Sequence, residues 1–193
     1  MNLPNTLTVS RMIVAPIFLV CLIWGGFWMR IAATTLFIGA SVTDGIDGYI
    51  ARSRGAVTDV GKLIDPLADK LLTSLAFIGL VLLGQVHSIP VIVIIGRDFL
   101  VTSLRGLAGD KGVVLAASKL AKWKTGLQMV AIIASLLFLD LEAWKAQNAM
   151  APLSVKSVEH FHWFINGMVG LAAAMALISG VRYARASREA ARS

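Results

Sequence analysis

Charged residues divide this chain into a series of apolar runs, and their lengths restrict the possible folds more than any other feature. Met12 to Met29 is 18 residues without a charge, bounded by Arg11 and Arg30. A helix needs about 20 residues to cross a hydrocarbon core about 30 Å thick. Further apolar stretches cover 31–50, 60–84, 89–108, 121–140 and 161–182, each long enough to span once the intervening Gly, Pro, His and polar turns are allowed for. In 193 residues, 57% are hydrophobic and 15% charged, with a mean hydropathy of +0.77. There is too little chain for a soluble enzyme carrying an anchor. The expected fold is therefore an all-α integral membrane protein, one domain over 1–193, with six transmembrane helices preceded by a short interfacial N-terminal segment from Asn2 to Thr8. Met1 to Ser10 carries no basic residue and no small-residue cleavage pattern precedes Arg30, so the first run reads as a retained helix rather than a signal peptide.

Charge bias sets the expected orientation. With the N-terminus in the cytosol, Arg11, Arg52, Arg54, Lys62, Arg97, Arg105, Lys111, Lys119, Lys122, Lys124 and the tail arginines fall on or towards that side, and Arg30, Lys145 and Lys156 on the other. The positive-inside rule then places both termini in the cytosol, in a multi-pass protein of the inner membrane. The net charge of +7 is spread over loop ends instead of forming one basic domain, so nucleic acid is not an expected partner and membrane lipid is. Arg182, Arg185, Arg188 and Arg192 have helical spacing and suit an extension of the last helix near headgroups, or simply its solvated end. Glu142 to Glu159 reads as an outer loop, and His87, His160 and His162 map to the outer side as loop or interfacial residues. The lone Cys21 excludes a disulfide framework and a Cys-rich metal site.

Five of the eleven acidic residues lie between Asp44 and Asp69, at the ends of two otherwise apolar segments. Ionised carboxylates are costly there unless paired, solvated or bound to metal. Asp44 and Asp47 are three apart, Asp65 and Asp69 four apart, so on helices each pair shares a face. Four converging anions repel, and hard divalent cations satisfy them through oxygen coordination. A one- or two-ion magnesium or manganese site is the expected answer, and such ions engage substrate phosphates and stabilise both oxygens of an in-line displacement. Gly45, Gly48, Ala51 and Gly61 leave room for a close helix neighbour or a flat ligand, and Arg52 can contact a diphosphate. No Ser, His or Cys nucleophile constellation accompanies the acids.

Written out, Asp44-x-x-Asp47-Gly48-x-x-Ala51-Arg52, eight residues, then Gly61-x-x-x-Asp65-x-x-x-Asp69, the segment resembles the complete signature of the CDP-alcohol phosphatidyltransferase family. The resemblance implies a six-helix membrane enzyme, usually a homodimer, that moves a substituted phosphate from a CDP-linked donor to an alcohol and releases CMP. Carried over residue by residue, it implies that Asp44, Asp47, Asp65 and Asp69 bind Mg2+ or Mn2+, with Asp69 also the base that deprotonates the acceptor hydroxyl. Gly48, Ala51 and Gly61 correspond to small positions facing the cytidine nucleotide, and Arg52 to a phosphate-side arginine.

The signature alone does not choose the acceptor alcohol. The opening Asn2-Leu3-Pro4-Asn5-x-Leu7-Thr8-x-x-Arg11, and the stretch from Arg97-Asp98-Phe99 through Leu104-Arg105 to Ser118-Lys119-x-x-Lys122-x-Lys124-Thr125, resemble the branch of the family that uses CDP-diacylglycerol as donor and sn-glycerol 3-phosphate as acceptor. Asp98 and Gly45 depart from residues common in relatives. A dianionic acceptor needs cationic donors, and Arg97, Arg105, Lys119 and Lys122 are the candidates. Arg97 and Arg105, eight apart, share a helix face. Other readings remain open at this point: another acceptor such as inositol phosphate or phosphatidylglycerol, a divalent-cation transporter, or a lipid-binding scaffold, for which four spaced aspartates have no use.

Overall fold

The computed structural model describes the backbone of residues 3–54, 59–110 and 119–190, and the side chains of 10–43, 70–103, 122–181 and 183. Six helices follow one another: α1 (Leu3–Trp24), α2 (Phe27–Arg54), α3 (Asp59–Leu82), α4 (Ser88–Asp110), α5 (Lys119–Gln147) and α6 (Val155–Ala190). The turn from α1 to α2 is two residues, Gly25 and Gly26, at φ 78° and 82°, a left-handed pair that only glycine adopts without strain. Helix α3 stops at Gly84 (φ 71°), where the Gly84 amide donates to the Val81 carbonyl at 3.0 Å and the Gln85 amide to the Leu80 carbonyl at 2.9 Å, the paired bonds of a Schellman end.

Helix α5 ends in the same pattern without a glycine. Ala149 takes φ 50°, its amide donates to Ala146 O, and the Met150 amide donates to Lys145 O at 3.0 Å. Lys145 Nζ caps the turn through the Ala151 carbonyl at 3.1 Å. The outer loop expected over Glu142 to Glu159 is therefore confined to 148–154, because the helix continues through Glu142 to this cap and α6 begins at Val155. The N-terminal lead also differs from expectation: residues 3–8 form the first turns of α1 rather than a separate segment, and a proline at position 4 fits a first turn, where its missing N–H is not needed. At the other end, Arg182, Arg185 and Arg188 continue α6, as their spacing anticipates.

Helix α1 packs on α2 and α3, and α6 packs on α4 and α5; α2 with α5, and α3 with α4 and α5, join the two groups. Phe18 and Phe37 meet at 5.5 Å between ring centroids, and Leu22, Phe77, Leu80, Ile132, Leu136 and Ile165 complete a core with almost no exposure. Asn166 on α6 clamps the α3–α4 turn. Its Nδ2 donates to the Gln85 carbonyl at 3.2 Å, and its Oδ1 accepts from the His87 amide at 2.8 Å.

The surface is apolar where the interior holds charge. Ile13, Ile17 and Val20 on α1, Ile89 and Ile92 on α4, and Leu171, Leu177 and Val181 on α6 point outward, while Arg11, Asp98, Lys124 and Asp140 are buried. Water does not favour such an arrangement, and lipid does. Among the described residues two helical stretches are long and apolar enough to cross a membrane, Lys122–Gln147 and Val155–Val181, and shorter apolar helical stretches cover Ser10–Trp24, Phe27–Thr43 and Lys70–Leu82.

Two substitutions with opposite signs test this packing. A Cβ at Gly79 would lie 2.7 Å from Leu22 Cδ2 and 3.0 Å from Leu19 Cδ1, so Gly79→Val forces α1 away from α3 and destabilises by about 1–3 kcal/mol. Ala149→Gly relieves the left-handed residue and stabilises by up to about 1 kcal/mol. Thermal unfolding of the purified protein in detergent reads both, and equal melting temperatures for the two variants would contradict the account.

Candidate active site

The signature residues sit on two helices joined by four residues. Asp44 and Asp47 lie ten and seven residues before the end of α2 at Arg54, and Asp65 and Asp69 lie six and ten residues after the start of α3 at Asp59. At about 1.5 Å per residue, Asp47 and Asp65 are each about 10 Å, and Asp44 and Asp69 each about 15 Å, along the helix from that connection. Both pairs thus lie within about three turns of the α2–α3 connection, on helices that both rest on α1. Gly48, Ala51 and Arg52 belong to the same part of α2 and Gly61 to the first turn of α3. The side chains of these eight residues, and of Arg105 and Lys119, lie outside the described residues.

Beside them, Arg97 and Asp98 on α4 and Lys124 on α5 form a buried ionic cluster. Asp98 Oδ1 accepts from Arg97 Nη1 at 3.1 Å and from Lys124 Nζ. Arg97 Nη2 donates to Ser179 Oγ on α6 at 2.8 Å. Gly180 makes room for this arginine, since a Cβ there would lie 3.3 Å from Arg97 Cγ. Lys124 is only 2% exposed, and neither cation has another acidic partner among the described residues. Two cations sharing one carboxylate leave the cluster net positive, which suits a region that meets a phosphorylated substrate. Lys122 is exposed. Two residues apart is about 200° around a helix, so Lys122 and Lys124 face opposite ways. The sequence shows both lysines but does not show which is buried. Nothing in the apolar pattern of α6 signals Ser179.

A cavity of about 120 Å³ opens against this cluster. Its polar wall includes Arg11 from α1, Ser41 from α2, Lys70 and Thr73 from α3, Asp98 from α4 and Gln128 from α5. Lys70 directly follows Asp69, and Ser41 is three residues before Asp44, so the cavity adjoins the signature segment on one side and the ionic cluster on the other. The histidines are elsewhere. His87, His160 and His162 lie at the opposite end of the bundle, where His162 Nε2 pairs with Gln85 Oε1 at 3.0 Å and His160 Nδ1 with the Lys156 carbonyl. Among the described residues no group of three or more His, Cys, Asp or Glu comes together.

The family model for CDP-alcohol phosphatidyltransferase matches residues 1–158. The chain belongs to the CDP-alcohol phosphatidyltransferase family. A relative from Bacillus subtilis (strain 168), named CDP-diacylglycerol–glycerol-3-phosphate 3-phosphatidyltransferase, is 42% identical over 168 residues, covering 75% of this chain and 87% of its own. Relatives of the same name from Rickettsia felis and Pseudomonas fluorescens are 43% identical over 131 residues (68% of this chain, 72% of the relative) and 38% identical over 141 residues (69% and 71%). As a member of this family the chain is a membrane-embedded enzyme of lipid synthesis. The match ends within the first turn of α6, so Ser179, which steadies Arg97, lies beyond the part of the chain that the family model covers.

Removing the shared carboxylate tests the cluster. Asp98→Ala leaves Arg97 and Lys124 buried without their anion and destabilises the protein by about 3–5 kcal/mol, read as a lowered melting temperature in detergent. A melting temperature within a degree of the unaltered protein would show that the cluster does not hold α4, α5 and α6 together.

Proposed function

We propose that the chain transfers the phosphatidyl group of CDP-diacylglycerol to sn-glycerol 3-phosphate, giving phosphatidylglycerophosphate and CMP in phospholipid biosynthesis. The observation that carries this reading is the eight-residue signature carried on α2 and α3, in a chain whose relatives from several bacteria share one name for that reaction.

In this reading Asp44, Asp47, Asp65 and Asp69 hold Mg2+ or Mn2+. A set of four carboxylates fits a hard divalent cation that prefers oxygen donors. When bound, the ion neutralises charge on the diphosphate and on the departing CMP. The chain's own groups carry the remaining work. Gly48, Ala51 and Gly61 let the cytidine nucleotide approach the backbone closely, and Arg52 contacts its diphosphate. Arg97, Arg105, Lys119 and Lys122 receive the phosphate of the acceptor, which is held with its free hydroxyl towards the donor. Asp69 takes the hydroxyl proton as the oxygen bonds to the phosphatidyl phosphorus, and the bond from that phosphorus to the CMP oxygen breaks.

The surrounding architecture follows from the same reading: a single domain over 1–193 with six spans in the inner membrane, both termini and the site on the cytosolic side, and a homodimer as the working form. The apolar outer faces of α1, α4 and α6 support several spans, and the excess of Lys and Arg around the signature end supports the cytosolic placement.

CMP release by the purified protein with CDP-diacylglycerol and magnesium, with glycerol 3-phosphate, inositol phosphate, serine and phosphatidylglycerol offered in parallel, tests donor and acceptor together. Release with glycerol 3-phosphate alone, abolished by a chelator and restored by Mg2+ or Mn2+, is the expected result. Release with a different acceptor would keep the reaction class and overturn the acceptor. Asp69→Asn lowers turnover by about 10²- to 10⁴-fold at an unchanged melting temperature, and full activity in that variant would remove the base assignment.

A further inference from the structure

We infer that the 120 Å³ cavity beside the ionic cluster receives the hydroxyl-bearing carbons of a small phosphorylated polyol, and that Gln128 donates a hydrogen bond to the hydroxyl that does not react. The inference rests on the acceptor reading proposed above and goes further by naming how the acceptor is read. Gln128 lies on α5 one turn from Lys124, is 4% exposed and lines the cavity. Its Nε2 is buried with no hydrogen-bond partner. Leaving such a donor unpaired costs about 1–3 kcal/mol, and a small turn of this amide, on a residue that lines the cavity, brings it to an oxygen supplied by a ligand there.

The other walls indicate what kind of oxygen it is. Ser41 commits its proton to the Phe37 carbonyl at 2.7 Å, so at the cavity its oxygen offers lone pairs. A donor and an acceptor together suit a hydroxyl, which both accepts and donates, whereas a bare phosphate oxygen only accepts. Asp98, which gathers Arg97 and Lys124, lines the cavity together with Lys70 and Arg11, so cationic groups border the space that takes the polyol.

The test compares glycerol 3-phosphate with 3-hydroxypropyl phosphate, which keeps the phosphate and the reacting hydroxyl and lacks the central one. The unaltered enzyme is expected to prefer glycerol 3-phosphate by about 10- to 100-fold in kcat/KM, the range of one well-placed hydrogen bond. In Gln128→Met, which keeps the side-chain volume, the preference should fall below about 3-fold. The loss should fall on glycerol 3-phosphate alone, with the KM for CDP-diacylglycerol unchanged, and Gln128→Leu should behave alike if the first variant folds poorly. A preference retained in these variants, or one absent from the unaltered enzyme, overturns the role of Gln128 while leaving the reaction intact. CMP release only with an acceptor other than glycerol 3-phosphate overturns the acceptor reading, and this assignment with it.

Discussion

The carboxylate of Asp98, accepting from two cations on two helices, is the interaction on which this half of the bundle depends. Charge buried away from water is tolerated only when paired, so α4 and α5 cannot separate without exposing Lys124 or Arg97 to lipid. The same arginine extends to Ser179, which brings α6 into the arrangement. Three helices are thus fixed by one cluster whose carboxylate also lines the cavity, and the cluster that holds them together also sets the electrostatics of that polar interior.

The other half is organised by close packing. Helix α1 carries no signature residue, yet α2 and α3 both rest on it, with Gly79 giving Leu19 and Leu22 the space to approach. A shared helix is what ties the two aspartate-bearing helices to one another. The exposed Ile and Val of α1 contribute nothing to that packing, and they are the residues a lipid environment would accept.

Helix count, helix type and the place of the signature were legible in the sequence, because each rests on a strong local signal: apolar runs bounded by charge, and acids at helical spacing where acids are costly. The helix ends were less legible. The mixed charge and single proline of 142–159 read as a loop, and Ala149, which closes α5 in a left-handed conformation normally given to glycine or asparagine, offers no signal of where the helix ends. Within the site, Arg97 stood out as a candidate cation for a phosphate, but its bonds to Asp98 and Ser179 depend on which faces of α4 and α6 meet, and no spacing along one segment reveals that. Gln128 escaped notice for a related reason. A lone glutamine in an apolar helix looks unremarkable until its partnerless Nε2 and the adjoining cavity are seen together.

The adjacency of Arg97 and Asp98 also bears on how the protein is made. A single charge at the centre of an inserting helix costs about 2.5–3.5 kcal/mol on translocon scales, and these two neighbours offset each other as soon as α4 forms. Lys124 has no such neighbour. Its anion sits 26 residues upstream, already in place when α5 emerges from the ribosome, whereas Ser179 follows Arg97 by 82 residues. The order of synthesis therefore delivers the carboxylate before the lysine that needs it, and α6 arrives last to fasten an ion pair that its predecessors have already assembled.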